Sequence, residues 1–591
     1  MNDIVDLLET RAREQPDRLL LAWEPFEGPA REWTRGAFLD DVRRVAGGLA
    51  RRGVRPGDRV LLHANNCPEF LLTWFACAWR GAVCVVLNPK SASDELAFFA
   101  DHTGAVGIVT QRGLPGTPPS LHSGAHHLRW QIVIDADDAD HAHDADDADH
   151  ADDAAHAIGF ESLHDAPIER ARLDSLAPGS MMFTSGTSSR PKAVVWSRAN
   201  ALWAAQLCAA GIGLLSSDIV LIPLPLYHVV GLAWSVLPAL QAGAAIVLQP
   251  RFSASRFWPM ALARRCTFAP HVQFTSAALF RQPVPPAHHF RLWCNSVWLP
   301  DHERHFRVPI LGWWGMTELV APGILGRANR PVAPGAIGLV APGYAARMAD
   351  SHSMSLAPGE VGELEILGER GRTLFAGYFN DEDANAAAFT ADGWFRTGDR
   401  MKVHADGSIQ FLERARDVIK CGGEGVSPAE VERVVRAVPG VADVSVVGRA
   451  DGAMGEVAVA FVVPADPNAA TEALSRAIDA ACRAQLAGFK VPREIRFLAS
   501  LPLVGINKVA KGQLRRLAAR TDTDTDTDTS TGTGTGTGTS STGTGTGTGT
   551  GSGTDTSTGT SSTGTGSGCG TRTVTDDRDR DLPARAKGGP A

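Results

Sequence analysis

Apolar residues recur at helix-like and strand-like spacing along the first part of the chain. Residues 3–53 predict a helix, a short strand pair and a second helix, with apolar positions at helical spacing from Phe38 to Leu49. Strand-like runs then cover 59–63 and 83–87, and an apolar helix over 68–82 lies between them. This strand–helix–strand order is typical of a parallel sheet.

The pattern extends to the second half of the chain. Further strands are predicted at residues 106–110, 181–183, 218–224, 243–248 and 309–313, and further helices at 92–103 and 199–207. Within residues 426–516 we predict a helix, strands at 442–447 and 457–463, a helix at 471–486 and a strand at 494–497. The body of the chain is therefore of the α/β class, and residues 426–516 form a small α+β domain.

Two segments have no pattern that buries apolar surface. Residues 135–157 contain only Asp, Ala and His, and residues 521–570 are mostly Thr-Asp, Thr-Gly and Ser-Gly repeats. Both predict solvated or disordered chain. The Asp and His side chains of the first segment also suit a divalent metal ion, and the alternative is a tolerated surface insertion.

The formal net charge of −8 comes from the first of these segments. It holds ten aspartates, and the rest of the chain without them carries +2. No basic stripe is present, so the composition argues against a nucleic-acid partner.

The sequence favours a cytoplasmic protein. The N-terminus is acidic and lacks an apolar signal region, and no apolar run is long enough to span a bilayer. The nine cysteines include no Cys-x-x-Cys pair, which argues against a zinc site or a disulfide framework and for a reducing compartment.

Residues 183–192 are the strongest candidate for chemistry. They read Phe-Thr-Ser-Gly-Thr-Ser-Ser-Arg-Pro-Lys directly after an apolar strand. Hydroxyls and Gly disfavour a helix, whereas a loop lets backbone N–H groups, hydroxyls and Lys192 converge on an anion. The Walker-type phosphate loop is absent. The alternative is an ordinary Ser/Thr turn between two strands.

Three polar sites are further candidates, and those at Thr317-Glu318 and His228 follow predicted strands. Thr317 and Glu318 suit a Mg²⁺ ion that ATP phosphates carry, although an N-cap with an acidic first turn gives the same pattern. Asp399, after Thr-Gly, has the acceptors for two ribose hydroxyls, or it is a plain Asp turn. His228 is a lone histidine after a strand, which is more often structural.

In this order the motifs resemble those of the acyl-adenylate-forming enzymes: acyl-CoA synthetases, firefly-type luciferases and nonribosomal adenylation domains. The matching stretches are 183–192, Tyr227-His228, Trp314-Gly315-Met316-Thr317-Glu318, Gly377-Tyr378, Thr397-Gly398-Asp399, Arg414–Lys420, Gly422-Gly423-Glu424 and Lys508. The form of the 183–192 loop and Asn66-Cys67-Pro68-Glu69-Phe70 look most like the carnitine/crotonobetaine CoA-ligase branch.

The resemblance implies a domain organisation. Residues 1–412 would be the large AMP-binding domain, built of parallel-sheet βαβ subdomains and a β-rich subdomain. Residues 413–416 would be a hinge, 417–516 a small mobile α+β domain, and 517–591 a disordered tail.

The resemblance also implies roles for individual residues. The ATP phosphates would be held by Thr184, Ser185, Gly186, Thr187, Ser188 and Lys192. The other nucleotide contacts would be Trp314 at the adenine, Thr317 at the α-phosphate, Asp399 at the ribose and Arg414 at the ribose or a phosphate. Glu318 would hold Mg²⁺, His228 would line the acid pocket, and Lys508 would reach the reacting carboxylate. Arg416 would lie in the hinge and Gly423 beside a pantetheine tunnel.

The implied activity is a ligation in two steps, with ATP, Mg²⁺ and CoA. A small carboxylic acid attacks the α-phosphate of MgATP to give an acyl-adenylate and pyrophosphate, and a thiol, CoA by resemblance, then displaces AMP. Two alternatives remain: loading of a carrier-protein phosphopantetheine, and a catalytically impaired relative that only binds nucleotide.

Several positions depart from the family pattern. Trp314 stands where the family motif has Tyr, which keeps the flat ring but loses the phenol oxygen. Ser189 and Ala193 replace loop glycines, which would strain the loop if either position needs a positive φ. Residues 293–298 replace a Gly-Gly-Ala-Pro-like adenine segment. Four tryptophans fall near the expected acid pocket, where they would suit a small aromatic or cationic acid, or they pack in the core: Trp234, Trp298, Trp313 and Trp314.

Overall fold

The structure is a computed structural model of the whole chain. It describes residues 1–116, 127–135, 158–184, 190–349, 356–414, 418–466, 471–504 and 508–519. The side chains of Glu413, Arg414, Leu503, Val504 and Lys508 lie outside this description, although their backbones are included. Ser185, Gly186, Thr187, Ser188, Ser189, Arg416, almost all of the 135–157 segment and the chain after Ala519 also lie outside the described residues.

The described chain up to residue 414 is called the large region. Its first elements are α1 (Ile4–Glu14), β1 (Leu19–Trp23), β2 (Arg31–Thr34), α2 (Arg35–Arg51), β3 (Arg59–His63), α3 (Pro68–Arg80), β4 (Val83–Leu87), α4 (Ser93–Thr103), β5 (Gly107–Gln111), β6 (Trp130–Ile134), β7 (Ile158–Gly159), β8 (Pro178–Thr184), β9 (Lys192–Ser197) and α5 (Arg198–Ile212). Then follow β10 (Ile219–Ile222), α6 (Val229–Gly231), a π-helical turn (Leu232–Val236), α7 (Leu237–Ala242), β11 (Ala245–Leu248), α8 (Ala254–Ala263), β12 (Phe268–Pro270), α9 (Gln273–Phe280), β13 (Leu292–Asn295), α10 (Pro300–Phe306), β14 (Ile310–Trp314), β15 (Ile324–Leu325) and β16 (Leu339–Val340).

The rest of the chain is richer in strands. The large region ends with β17 (Ala345–Met348), β18 (Val361–Leu367), β19 (Gly377–Tyr378), α11 (Glu382–Ala388), β20 (Phe395–Val403) and β21 (Ile409–Arg414). The small region, residues 418–519, contains β22 (Ile419–Cys421), β23 (Glu424–Val426), α12 (Pro428–Arg436), β24 (Val441–Asp451), β25 (Gly455–Pro464), α13 (Glu472–Gln485), β26 (Glu494–Phe497), β27 (Leu503–Val504), β28 (Lys508–Val509) and α14 (Lys511–Ala519).

Two large sheets carry the large region. Among the described residues, one has the strand order β16-β15-β14-β13-β12-β10-β11-β1-β2 and the other β19-β9-β8-β4-β3-β5-β6-β7. Their inner strands pair in parallel, as β3 with β4 and β10 with β11, and antiparallel strands lie at three of the four edges. The predicted parallel-sheet α/β class is confirmed.

Buried apolar residues explain why these elements form. In α3 every residue except Arg80 is buried, because the helix packs within the large core on α2 and the sheet that contains β3 and β4. It starts with Pro68 at its first position and ends at Gly81, whose φ of 80° is the left-handed conformation that glycine adopts at little cost. The described chain contains no helix that is both long and apolar enough to cross a membrane.

The β-rich and small regions also match the prediction. Strands β17-β18-β20-β21 form an antiparallel sheet, and the small region has the order β23-β22-β25-β24 with β26 beside β25. The predicted tail boundary at 517 requires a correction, because α14 continues to Ala519 and Ala518 is buried against the small-region sheet. The described residues, which end at Ala519, all belong to one compact unit.

Candidate active site

A cavity of about 520 Å³ lies where strands of both large sheets end and the small region closes over them. Open α/β sheets bind ligands at this edge. The structure brings six of the predicted site residues to its wall: Thr184, Lys192, His228, Thr317, Glu318 and Gly423.

Lys192 is linked to Glu318 through Tyr378. Thr184 and Lys192 face each other across the β8–β9 hairpin. The Lys192 Nζ lies 4.8 Å from the centre of the Tyr378 ring, a cation–π contact, and the Tyr378 hydroxyl donates to Glu318 Oε1 at 2.9 Å. One aromatic side chain therefore contacts a cation through its ring and a carboxylate through its hydroxyl, at the end of the β8–β9 hairpin.

Two buried indoles fix the Thr317–Glu318 turn. Trp196 Nε1 donates to the backbone oxygen of Thr317, and Trp234 Nε1 donates to that of Val320, both at 2.8 Å. Val320 has φ 60°, which is strained for a β-branched residue and persists only where the surroundings hold it. The turn is thus held rigidly at the cavity wall.

The donor set fits a Mg²⁺ ion that ATP carries. Glu318 is 5% exposed and lines the cavity, with the Thr317 hydroxyl group nearby. Mg²⁺ keeps most of its waters and takes few protein oxygens. Within the described ranges no group of three or more His, Cys, Asp or Glu residues is arranged to hold a metal ion by itself, so the phosphates would have to supply the remaining ligands.

Trp314 and Asp399 form a pair beside the cavity. Trp314 Nε1 donates to Asp399 Oδ2 at 3.0 Å, and the Asp399 N–H donates to Thr397 Oγ1 at 3.1 Å. Thr397 lines the cavity, whereas Trp314 and Asp399 are not among the residues that line it. Arg414 is opposite Asp399 in the β20–β21 register, with a side chain outside the description. The Trp that replaces the family's Tyr therefore provides an N–H donor to Asp399.

Glu424 of the small region reaches the predicted His228. The Tyr227 hydroxyl donates to Glu424 Oε1 at 2.6 Å, and His228 Nε2 lies 3.0 Å from Glu424 Oε2. Burial alone would raise the pKa of Glu424, but the charge of His228 and the hydrogen bonds from His228 and Tyr227 lower it to about 2. Burial and then the Glu424 charge raise the pKa of Tyr227.

The β22–β23 hairpin carries the glycines of the predicted tunnel. Gly423 has φ 88°, and no atom lies within 4 Å of where a Cβ would be. It lines the cavity together with Gly422, Glu424 and Gly425. A positive φ and an open side towards the cavity explain why glycine occupies this position.

Comparison with known proteins identifies the family. The AMP-binding enzyme profile matches residues 8–379, and the profile of the AMP-binding enzyme C-terminal domain matches residues 430–508. The chain belongs to the AMP-binding enzyme family.

Individual relatives are similar to this chain over most of their length. A crotonobetaine/carnitine–CoA ligase of Proteus mirabilis (strain HI4320) is 32% identical over 504 residues, 84% of this chain and 95% of the relative. A double mutant of o-succinylbenzoate CoA synthetase from Bacillus subtilis, solved with a product analogue, is 26% identical, with a TM-score of 0.73 over 86% of this chain and 98% of its own. A fatty acyl CoA synthetase of Mycobacterium tuberculosis is 26% identical, with a TM-score of 0.59 over 88% and 98%.

The family assignment confirms the predicted activity class. This AMP-binding enzyme is an acid–thiol ligase that forms an acyl-adenylate and then a thioester.

Lys508 lies on a different side of the small region from the cavity-lining hairpin. Ile419 and Val426 of that hairpin pack with α12 and α13 on one face of the sheet. Val509, next to Lys508, packs with Val447 and Phe461 on the other face. Neighbouring strand residues point to opposite faces, and Val446 and Val447 of β24 indeed belong to the two different clusters.

The structure tests two expectations that came from departures from the family's sequence pattern. Ala193 lies in β9, where it pairs with Phe183, and its φ is not positive. The backbone strain considered for this position is therefore absent. The hypothesis of a Trp-lined acid pocket is wrong. Trp234, Trp298, Trp313 and Trp314 do not line the cavity, and the N–H groups of Trp313 and Trp298 donate to the His271 backbone oxygen and to Glu303.

Sequence reasoning assigned no role to several residues of this site. Tyr378 and Glu424 lie inside motifs that the sequence had matched, so the signal was present, but nothing indicated their partners. Glu95 and Lys490 carry no motif signal and are found only through their contacts across the cavity rim.

Proposed function

We propose that this AMP-binding enzyme joins a small, uncharged carboxylic acid to CoA, with ATP converted to AMP and pyrophosphate. One observation carries the proposal. A single cavity is lined by the β8–β9 hairpin, the Thr317–Glu318 turn and the glycine-rich β22–β23 hairpin of the small region. The first two suit a nucleotide, and the third leaves a narrow glycine-lined approach for a thiol.

In the first step the substrate carboxylate oxygen bonds to the α-phosphorus of ATP. The bond from that phosphorus to the bridging oxygen of the β-phosphate breaks, and pyrophosphate leaves. Two anions have to meet, so cationic groups and N–H donors must offset the charge. Lys192, the Thr184 and Thr317 hydroxyls and Lys508 supply them in this proposal. Bound Mg²⁺, held by Glu318, would neutralise phosphate charge.

In the second step the CoA sulfur bonds to the acyl carbon, and the bond from that carbon to the AMP oxygen breaks. The thiol loses its proton, which AMP or solvent accepts. His228 lies at the acid end of the cavity and is held there by Glu424. Its role in the proposal is to orient the acyl group towards the thiol that enters beside Gly423.

The two steps require different orientations of the small region. Lys508 is needed at the carboxylate in the first step and Gly423 at the thiol in the second, but their hairpins pack on opposite faces of the small-region sheet. A rotation about residues 413–416, with Arg416 in the hinge, would exchange them.

The cavity lining supports an uncharged acid tail. Beside His228 the Glu424 carboxylate is already paired with His228 and Tyr227. The other lining residues on this wall are apolar: Val229, Val230, Phe252, Val272, Phe274 and Met316. Thr275 is the polar neighbour, but its hydroxyl is occupied by the backbone oxygen and N–H of Val272 at 2.9 and 3.1 Å. An ammonium or a second carboxylate on the substrate would lose its water there, and the Glu424 carboxylate is already taken up by Tyr227 and His228. The proposed substrate thus differs from that of the carnitine-named relatives.

The cell compartment belongs to the proposal as well. All eight cysteines of the described chain are free thiols and buried. This suits a reducing cytosol.

ATP–pyrophosphate exchange tests the proposal. The acids are butanoate, benzoate and phenylacetate, compared with carnitine and succinate. We expect exchange with an uncharged acid and about a hundredfold loss in Lys508→Ala, because a positioned donor to a developing charge contributes on this scale. Lys402→Ala, on the exposed side of β20, is the matched control. Exchange with carnitine or succinate alone would contradict the substrate class, and transfer to a phosphopantetheinyl protein but not to CoA would contradict the acceptor.

A further inference from the structure

Lys490 of the small region is buried against the large region. It ends a short turn after α13, is 6% exposed, and its Nζ lies 2.5 Å from Glu95 Oε1 and 2.9 Å from Glu430 Oε1. Glu430 is on α12 of the small region, whereas Glu95 is on α4 of the large region. The ion pair between Lys490 and Glu95 therefore crosses between the regions, and α13 lies against α4 beside it.

The cluster of Lys490, Glu95 and Glu430 has two buried carboxylates for one ammonium group. Burial together with the Glu95 charge raises the pKa of Glu430 in spite of Lys490. Within the small region alone, Lys490 and Glu430 already form a neutral pair. Glu95 joins this pair only when α4 and the small region meet, so its contact depends on the orientation of the small region.

The ion pair is on the same side of the small region as the glycine hairpin. Lys490, Gly423 and Glu424 all line the cavity, and Val509 beside Lys508 packs on the opposite face of the sheet. An orientation that presents Lys508 to the cavity has to separate Lys490 from Glu95. The pair is thus specific to the orientation seen here.

From this geometry we infer that the Glu95–Lys490 ion pair positions the small region for the thioester-forming step. The inference rests on the proposed two-step function. Glu95 and Lys490 are positioning residues, because the Lys490 ammonium group is taken up by two carboxylates and acts on the reaction through the placement of Gly423 and Glu424. Adenylation, which requires the other orientation, does not depend on the pair.

Glu95→Gln tests the role of the ion pair, because it removes the carboxylate charge and leaves the start of α4 unchanged. Glu95 Oε2 accepts the Ala92 N–H at 2.9 Å at the start of α4, and a glutamine amide oxygen preserves that cap. The two half-reactions are measured separately: ATP–pyrophosphate exchange with the fastest acid of the panel, and CoA thioester formation from its preformed acyl-adenylate. We expect exchange within about twofold of wild type and thioester formation about tenfold slower, the scale of one lost charged hydrogen bond.

Glu432→Gln is the matched control. Glu432 is two positions from Glu430 on α12 and pairs with Lys511 at 3.0 Å inside the small region, so neither half-reaction should change. Equal rates in Glu95→Gln and wild type would overturn the inference, as would a parallel fall of both half-reactions, which would mean a structural role. Lys490→Gln must give the same split if Glu95→Gln does not fold. A wild-type enzyme without exchange on any acid would instead refute the proposed function.

Discussion

At the scale of single residues, the Trp314–Asp399 pair shows how one departure from the family pattern is compensated. From the sequence, a Trp in place of Tyr loses a phenol oxygen. In the structure the indole N–H donates to the carboxylate that we expect to receive the ribose. The replacement therefore keeps a polar contact as well as a flat ring.

Trp314→Phe keeps an aromatic ring and removes this donor. We expect the KM for ATP to rise about tenfold with kcat changed less than about threefold, because a hydrogen bond to a charged group contributes roughly 1.5–3 kcal/mol. Steady-state kinetics with varied ATP measures both constants. Trp33→Phe is the control, since its N–H also donates to a carboxylate, that of Asp41, and Trp33 lies on the edge strand β2 outside the cavity lining. An unchanged KM in Trp314→Phe would show that the pair does not serve ATP binding.

At the scale of elements, the placement of His228 depends on a close backbone approach. His228 precedes α6, and a Cβ added at Gly231 would lie 2.1 Å from the backbone oxygen of Pro225. Only a residue without a side chain lets the helix start this close to the preceding turn.

Gly231→Ala should therefore displace the start of α6. We expect a loss of roughly 1–3 kcal/mol in the free energy of unfolding, as for overpacked cores, together with a fall of both half-reactions. Urea unfolding and pyrophosphate exchange are the measurements. Gly452→Ala, where no atom lies within 4 Å of the new Cβ, should change neither. A Gly231→Ala enzyme of wild-type stability would contradict the steric argument.

At the scale of the whole molecule, the active cavity exists only between the two regions. Its wall combines Thr317 and Glu318 of the large region with Gly423 and Glu424 of the small region. The contact of Glu424 with Tyr227 and His228 closes this wall, so the charge of Glu424 couples the closed arrangement to pH.

This coupling has a definite sign. Because the pKa of Glu424 falls from 4.5 to about 2, its ionised form stabilises the folded enzyme above pH 4.5, and this contribution is lost as pH falls towards 2. The shift corresponds to about 3 kcal/mol at neutral pH. Glu424→Gln should thus be less stable than wild type at pH 7, and the difference in melting temperature should shrink steadily below pH 4.5.

Glu472→Gln, an exposed glutamate on α13, is the control for this series. Its difference from wild type should be small and independent of pH. A constant difference between Glu424→Gln and wild type from pH 7 to pH 3 would show that Glu424 has an ordinary pKa.

Local patterns in the sequence were sufficient to predict most of the helices and strands. The strands Arg59–His63, Val83–Leu87 and Glu494–Phe497 have the predicted bounds, and α3 begins at the predicted Pro68. Periodicity reports which face of an element is buried, so these assignments need no knowledge of distant residues. The sequence predicted the end of the small domain at residue 516 and did not predict α14, which continues to Ala519, because the packing of Ala518 on the sheet of the small region is a tertiary contact.

Motif order in the sequence by itself determined the family and the α/β class, and it selected six residues that the structure places on the wall of one cavity. Only the tertiary structure decided how these residues are paired: Lys192 with Tyr378, Trp314 with Asp399, His228 with Glu424, and Glu95 with Lys490, which are 395 positions apart. The structure also showed that Trp234, Trp298, Trp313 and Trp314 do not line the cavity. The physical reason is that a charge or hydrogen bond acts over a few ångströms in space, whereas spacing along the chain determines proximity only within one element.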